Sequence, residues 1–226
     1  MKPPRAERLT LPGPTGSLEA LVEIPSGDAV GAMPGAAPAA FGVVCHPHPL
    51  YGGTLDNKVV YTLARAFVEC GVPAIRFNFR GVGASAGAYD EGSGETDDAL
   101  AAIAYGRQRW PGADLWLAGF SFGAAVAVRA AQRASPRKLV AVAPGITPAA
   151  MQGVASPRCP WLLVQGDADE VIEPAAVLEW AQQQSFVSAA GAQIRPEIRI
   201  IPGGGHFFHG RLQELRQTVV QFLRER

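Results

Sequence analysis

The stretch Gly119-Phe120-Ser121-Phe122-Gly123 joins an apolar segment, residues 113–118, to a run of small residues, 124–128. This pattern predicts a buried strand that passes through a tight turn directly into a packed helix. A serine at such a turn adopts a strained backbone, and the two glycines omit side chains that would collide there. The serine hydroxyl is therefore expected to stand at the end of the strand, above the positive end of the helix dipole.

Such a turn is a nucleophile elbow, and it points to Ser121 as a group that attacks a carbonyl carbon. The pentapeptide alone also fits an ordinary Gly-Ser turn before a core helix, because the chain contains 26 glycines. Serine is a weak nucleophile without a base, so the assignment depends on partners elsewhere in the chain.

The composition favours a single globular domain. The 226 residues are 48% hydrophobic, which is enough to bury a core. Twenty basic residues balance twenty acidic ones without a block of like charge, which argues against nucleic acid as a partner. Three cysteines without a C-x-x-C pair fit a reducing compartment. The sequence shows no targeting segment or long apolar run, so we expect a cytoplasmic protein that does not associate with membranes.

Strand-like and helix-like segments alternate from residue 41 onward. Strands are predicted at 41–45, 74–79, 113–118, 138–143, 161–165 and 194–201, and helices at 57–70, 95–109, 124–134, 174–184 and 210–224. This order predicts an α/β fold in one domain over residues 1–226, with a mostly parallel central sheet and helices on both faces. Residues 8–11 and 17–24 predict an antiparallel hairpin at the N-terminal edge, and residues 26–40 a flexible loop.

An acid and a histidine follow two later strands, at the sheet edge where ligands of such folds bind. Asp169 is predicted as the acid, with Asp167 interpreted as a turn residue and kept as the alternative. His206 follows three glycines after the last strand and is predicted as the base, with His209 as the alternative. His206 would take the proton of Ser121, and Asp169 would orient the imidazole and stabilise its charged form.

The developing oxyanion needs two backbone N–H donors. One is predicted to belong to Phe122, which follows the serine, and the other to His48 in the loop that begins at residue 46. The neighbouring prolines have no N–H, and they would hold His48 rigidly. Tyr51 in the same loop is a candidate substrate contact, and His46 is interpreted as a brace of the loop. The H-x-H pair lacks a clear set of further ligands, so no metal or cofactor is expected.

Residues 81–86, Gly-Val-Gly-Ala-Ser-Ala, match the dinucleotide fingerprint G-x-G-x-x-A and follow a strand. The fingerprint requires a helix to begin within the motif, whereas this sequence continues as a loop. We therefore interpret it as a glycine-rich loop that lines the pocket. Arg80, directly before it, is a candidate contact for a substrate carboxylate, and a loop-bracing salt bridge is the alternative.

Together these motifs resemble the α/β-hydrolase superfamily, and within it the small, lidless bacterial hydrolases akin to the dienelactone hydrolase group. The resemblance is carried by residues 46–54, 76–85, 119–123, 166–169 and 205–210. True dienelactone hydrolases have a cysteine nucleophile, where this chain has Ser121. Many esterases carry a helical cap where this chain has only residues 144–160, so no cap domain is expected.

The resemblance implies a serine hydrolase with the triad Ser121, Asp169 and His206. The expected substrate is a small soluble carboxylic ester, which would be cleaved through an acyl-enzyme intermediate. Because the attack chemistry is shared, thioesters, amides and peptides are alternatives, and so is an inactive binding module on the same fold. The sequence leaves the oligomeric state open, with a homodimer as one alternative.

Overall fold

The structure is a computed structural model that describes residues 4–26, 37–147, 151, 154–188 and 191–225. The strands are β1 (Arg5–Gly13), β2 (Gly16–Ile24), β3 (Ala40–Cys45), β4 (Ala74–Phe77), β5 (Asp114–Phe120), β6 (Lys138–Val142), β7 (Trp161–Gly166), β8 (Phe186–Val187), β9 (Gln193–Ile194) and β10 (Glu197–Ile201). The helices are α1 (Lys58–Glu69), α2 (Ser93–Arg109), α3 (Phe122–Ala134), α4 (Pro174–Gln183) and α5 (Leu212–Arg224), and a 3-10 turn covers Pro49–Tyr51.

Eight of the strands form one sheet in the order β1-β2-β4-β3-β5-β6-β7-β10. The pairings from β4 to β10 in this order are parallel, whereas β2 pairs antiparallel with both β1 and β4. The prediction of a mostly parallel sheet with an antiparallel N-terminal hairpin at its edge is therefore confirmed. Because the parallel strands share one direction, the loops that follow β3, β5, β7 and β10 meet at the same edge of the sheet.

The core lies on both faces of this sheet. In β5, Leu115 and Leu117 belong to the layer packed by α2, α3 and α4, while Ala118 and Phe120 belong to the layer packed by α1 and α5. Alternate side chains of a strand point to opposite faces, so a strand covered on both sides is apolar throughout. This explains the continuous apolar run before the serine.

Several element boundaries differ from the sequence-based expectation, and three of the differences have a local reason. Asn57 lies just outside α1, where its side chain accepts a hydrogen bond from the Val59 N–H (2.9 Å) as a helix cap. Helix α5 begins at Leu212 and not at Gly210, whose φ of 73° is not helical. The single strand expected at 194–201 is two strands, β9 and β10, and they are separated at Pro196, which has no N–H for a sheet ladder.

The connection between β6 and β7, residues 143–160, is too short for a cap domain, as expected. Most of the predicted flexible loop at 26–40 falls on residues 27–36, which lie outside the described residues. Among the helices that the structure describes, none is long and apolar enough to cross a membrane.

Candidate active site

Ser121 occupies a sharp turn between β5 and α3, with φ 55° and ψ −121°. This backbone conformation is unfavourable for any residue with a side chain, so the turn is strained, as the sequence predicts. A Cβ on Gly119 would lie 2.1 Å from the Gly123 carbonyl oxygen, and one on Gly123 would lie 2.3 Å from the His46 carbonyl oxygen. Gly119 is therefore required for the turn itself to close, and Gly123 for the turn to pack against the neighbouring loop.

Three side chains from three strand ends form one chain of hydrogen bonds. His206 Nε2 lies 3.1 Å from Ser121 Oγ, and His206 Nδ1 lies 2.9 Å from Asp169 Oδ2. All three residues are buried. An ionised carboxylate can only accept, so Nδ1 carries the ring proton and donates it to Asp169. The unprotonated Nε2 is thereby left facing the serine hydroxyl.

The carboxylate of Asp169 is held by four partners. Besides the His206 ring, it accepts from Gln165 Nε2 (2.9 Å) and from the backbone N–H groups of Val171 (2.9 Å) and Ile172 (2.8 Å). Burial is the largest single influence and raises the pKa of Asp169, but the hydrogen bonds from His206, Ile172 and Val171 together outweigh it and lower the pKa. The carboxyl is therefore ionised at neutral pH and can orient the imidazole.

The structure separates Asp169 from its alternative, Asp167. Asp167 Oδ1 accepts a hydrogen bond from the Gly203 N–H at 2.6 Å, which is the turn role expected for it. Glu170 Oε2 accepts the backbone N–H of His206 at 3.0 Å, so the residue on the other side of Asp169 also ties the β7 loop to the β10 loop. Sequence reasoning missed Glu170, and its only signal there is that it follows Asp169.

His209, the alternative base, does not reach the serine. It is exposed, and its ring stacks on Phe207 with the centroids 5.9 Å apart. His206 instead packs against Phe120 at the end of β5, with ring centroids 5.0 Å apart. The structure thus brings His206 to Ser121 and leaves His209 at the surface.

The loop after β3 places His48 beside the elbow. His48 Nδ1 accepts from the Leu50 N–H (3.2 Å), so Nε2 carries the proton and donates to Tyr89 Oη (3.1 Å). The His48 ring lies 4.9 Å from the ring of Phe122 and 4.7 Å from that of Tyr51, which is 86% exposed. Within the described part of the chain, neither the His48 N–H nor the Phe122 N–H donates to a protein group. Both remain available for the oxyanion role that the sequence predicts for them.

Solved structures with the same fold cover nearly the whole chain. A Xanthomonas campestris protein described as a member of the α/β serine hydrolases without a lid is 39% identical over 99% of this chain and 96% of its own, with a TM-score of 0.85. The chain belongs to this family of lidless α/β serine hydrolases. An α/β serine hydrolase homologue from Coxiella burnetii is 40% identical over 96% of this hydrolase and 97% of its own chain, with a TM-score of 0.85.

Two further comparisons match large parts of the chain. An uncharacterized protein of Rickettsia prowazekii is 34% identical to this hydrolase over 190 residues, which cover 82% of this chain and 79% of that protein. A family model described as serine aminopeptidase, S33, matches residues 52–157, which include the elbow.

His46 braces the active-site loop of the hydrolase from inside. It is fully buried, its Nδ1 lies 2.6 Å from the Pro47 carbonyl oxygen, and its Nε2 accepts from the Phe79 N–H at 3.0 Å. Burial lowers the pKa of His46 to about 4, although the Pro47 hydrogen bond opposes the shift. Both ring nitrogens are thus used within the loop, in agreement with the structural role expected from the sequence.

This burial predicts that stability falls between pH 6.5 and pH 4. In that range the unfolded chain protonates His46 and the native state does not, so the stabilisation present above pH 6.5 is lost as the pH falls toward 4. The loss amounts to about 3 kcal/mol for this group. Urea unfolding at pH 7 and pH 4.5 measures it, and His46→Gln should show a much flatter pH dependence. An equal slope in the two proteins would contradict the prediction.

Arg80 does not have the geometry of a substrate contact. Its Nε and Nη2 donate to the two carboxylate oxygens of Asp98 at 3.0 and 2.9 Å, and its backbone N–H donates to the same carboxylate at 2.9 Å. The remaining nitrogen, Nη1, lies 3.7 Å from the Asp90 carboxylate. Asp98 already occupies the guanidinium fork of Arg80. The structure therefore favours the loop-bracing salt bridge over the predicted contact with a substrate carboxylate.

The glycine-rich loop also differs from a dinucleotide site. The next helix begins at Ser93, well beyond the motif, and a Cβ on Gly83 would lie 2.4 Å from Glu19 Oε2. That carboxylate accepts hydrogen bonds from Asn78 Nδ2 (2.8 Å) and the Ala84 N–H (3.0 Å), so the loop is fastened to β2. Among the residues that the structure describes, no three His, Cys, Asp or Glu side chains converge as metal ligands.

Proposed function

We propose that this hydrolase cleaves carboxylic esters through an acyl-enzyme on Ser121. The observation that carries the proposal is the continuous chain from Ser121 Oγ through His206 to Asp169, with separations of 3.1 and 2.9 Å. A hydroxyl next to an oriented imidazole is an activated nucleophile. The N–H groups of Phe122 and His48 are the donors that would receive the charge on the carbonyl oxygen.

In the first half of the reaction, Ser121 Oγ attacks the carbonyl carbon and His206 Nε2 takes its proton. Asp169 stabilises the resulting imidazolium, and His206 then gives the proton to the departing alcohol oxygen. In the second half a water molecule attacks the acyl-enzyme, with His206 again accepting and returning one proton. The acid product leaves and Ser121 regains its hydroxyl.

The surroundings of the triad support a substrate with an apolar part. Four side chains on the loops that hold the site are exposed although they are apolar or aromatic: Leu50 (67%), Tyr51 (86%), Val171 (57%) and Phe207 (39%). They lie within a few residues of His48, Asp169 and His206 in the chain. Large apolar side chains at an open site offer contact area to a ligand. Without a cap domain, a small soluble ester can reach the serine directly.

An amide or peptide is the second candidate, because the family model that matches residues 52–157 is described as a serine aminopeptidase. An aminopeptidase needs a carboxylate for the charged amino terminus of its substrate. Two carboxylates near the site already accept backbone N–H groups: Glu170 accepts that of His206, and Glu95 accepts those of Asp90 and Gly92. This engagement favours the ester over the aminopeptide.

A fluorophosphonate probe tests the proposal. It should label the wild-type protein at neutral pH, and Ser121→Ala should abolish the label while circular dichroism shows an unchanged fold. A folded wild-type protein that does not react would contradict the proposal and favour a binding module. A panel of p-nitrophenyl acetate, a thioester and an aminoacyl anilide then ranks the three bond types.

A further inference from the structure

A cleft with a volume of about 630 Å³ lies between the first turns of α1 and α5. Its charged and aromatic lining consists of Asp56, Lys58, Tyr61, Arg65, Arg76 and Arg216. None of these residues belongs to the chain of Ser121, Asp169 and His206. The cleft is large enough for a small ligand, since such sites commonly measure about 300–1,000 Å³.

Part of the charge in this cleft is already balanced. Arg76 Nε donates to Glu23 Oε2 at 3.0 Å, and both side chains are only 4% exposed. Asp56, the one acidic residue in the lining, lies between Arg76 (3.4 Å) and Arg8 (3.2 Å). The charges of Arg76 and Asp56 are thus balanced by their neighbours, so the other cations of the lining are in excess.

Those cations are Lys58, Arg65 and Arg216. Within the described residues, Lys58 and Arg65 form no ion pair. Arg216 lies 3.8 Å from Glu69, a carboxylate that Arg224 also approaches to 3.7 Å. Within the described residues, these three cations thus have one counterion, Glu69, which Arg216 shares with Arg224.

Arg65 provides the observation that points to a ligand. Its Nη1 is buried and has no hydrogen-bond partner among the described residues. A buried N–H donor without an acceptor is costly, and for a charged group the cost is larger. Arg65 as a whole is only half-buried and lines the cleft, so a rotation of its guanidinium toward a bound anion would give Nη1 the missing acceptor and compensate the excess charge.

We propose that this cleft binds a small, multiply charged anion through phosphate or carboxylate groups. Arg65 and Arg216 present the forked guanidinium donors that recognise such oxygens in pairs, and Lys58 adds a point charge. Tyr61 is 48% exposed, and its ring lies 5.5 Å from the Arg76 guanidinium, so it forms one side of the cleft next to the charges. This site is independent of the reaction at Ser121.

Calorimetric titration with inorganic pyrophosphate and with citrate, at constant ionic strength, tests this site. We expect saturable binding of one anion per chain, and Arg65→Met and Lys58→Gln should each weaken it about tenfold or more, as expected for the loss of a charge-assisted hydrogen bond. Arg133→Met is the matched control, because Arg133 is exposed on α3 and pairs with Asp97. Ser121→Ala should bind the anion as the wild type does.

The arms of the titration identify the chemistry. Binding of pyrophosphate alone supports a phosphorylated ligand, binding of citrate alone supports a polycarboxylate, and binding of both supports a general polyanion site. Saturable binding of neither anion would overturn the proposal. Binding that Arg65→Met and Lys58→Gln weaken no more than Arg133→Met does would overturn it equally. Lys58 is an exposed residue, so its variant keeps the test valid if Arg65→Met fails to fold.

Discussion

His206→Ala is expected to lower kcat/KM for p-nitrophenyl acetate by on the order of 10⁴- to 10⁶-fold. His206 is the only residue, within the described part of the chain, whose side chain hydrogen-bonds both Ser121 Oγ and Asp169. Without it, no base takes the proton of the serine hydroxyl during attack or that of the water molecule during deacylation. Initial rates of p-nitrophenol release measure the effect.

Ser121→Ala should be about as damaging as His206→Ala, and the double variant should be no slower than either single one. The reason is that the two side chains act as one unit, so the second removal costs little. His209→Ala is the matched control and should keep near-normal turnover, because His209 is exposed and stacks on Phe207. Near-normal turnover of His206→Ala together with an inactive His209→Ala would refute the base assignment.

Arg80→Met is expected to destabilise the fold by about 3–5 kcal/mol. It would leave the carboxylate of Asp98, which has no exposed side-chain surface, without its two guanidinium hydrogen bonds. A buried charge that loses its partner retains the full cost of its removal from water. Urea unfolding monitored by circular dichroism gives the free-energy difference.

Arg133→Met is the control for this experiment, since the Arg133–Asp97 pair has a short separation of 2.6 Å but side chains that are 64% and 47% exposed. Its loss should cost less than about 1 kcal/mol, because water screens the pair. Adding Asp98→Asn to Arg80→Met should recover part of the stability by removing the uncompensated charge. Equal losses for Arg80→Met and Arg133→Met would contradict a structural role for the buried pair.

Local sequence explains why the elbow was predictable. Gly119 is needed because a Cβ there would meet the Gly123 carbonyl oxygen of the same turn, and the strained φ of Ser121 follows from that turn. The apolar run before it predicted a strand covered on both faces. These features depend on residues within a few positions of one another, so a single stretch of sequence contains them.

The tertiary structure is needed to decide between the candidate acids and between the candidate bases. Asp167 and Asp169 are the same residue type two positions apart, and the pairing of β7 with β10 shows that the favoured Asp169 is the one that meets His206. The Glu170 contact with the His206 N–H also spans 36 positions in the chain and has no local signal. Which side chains meet at the edge of the sheet depends on the order of the strands within it. The sequence pattern predicts the strands but does not give that order.

Arg80 is another residue whose role the local sequence leaves open. A basic residue before a glycine loop fits a substrate contact as well as a salt bridge, and its partner Asp98 lies on the following helix. The packing of α2 against the end of β4 decides between these two roles. It buries the Asp98 carboxylate, and a buried carboxylate needs a charged partner such as the Arg80 guanidinium.

The amino-acid order alone specified an α/β hydrolase fold and a serine held in a strained bend, since both arise from short-range periodicity and sterics. The sequence favoured Asp169 and His206 over their neighbours, but only the tertiary structure brings them together with Ser121, pairs Arg80 with Asp98, and gathers the unpaired cations between α1 and α5. Hydrogen bonds form between groups about 3 Å apart, and the interaction between two charges strengthens as their separation falls. The tertiary structure determines which groups come that close.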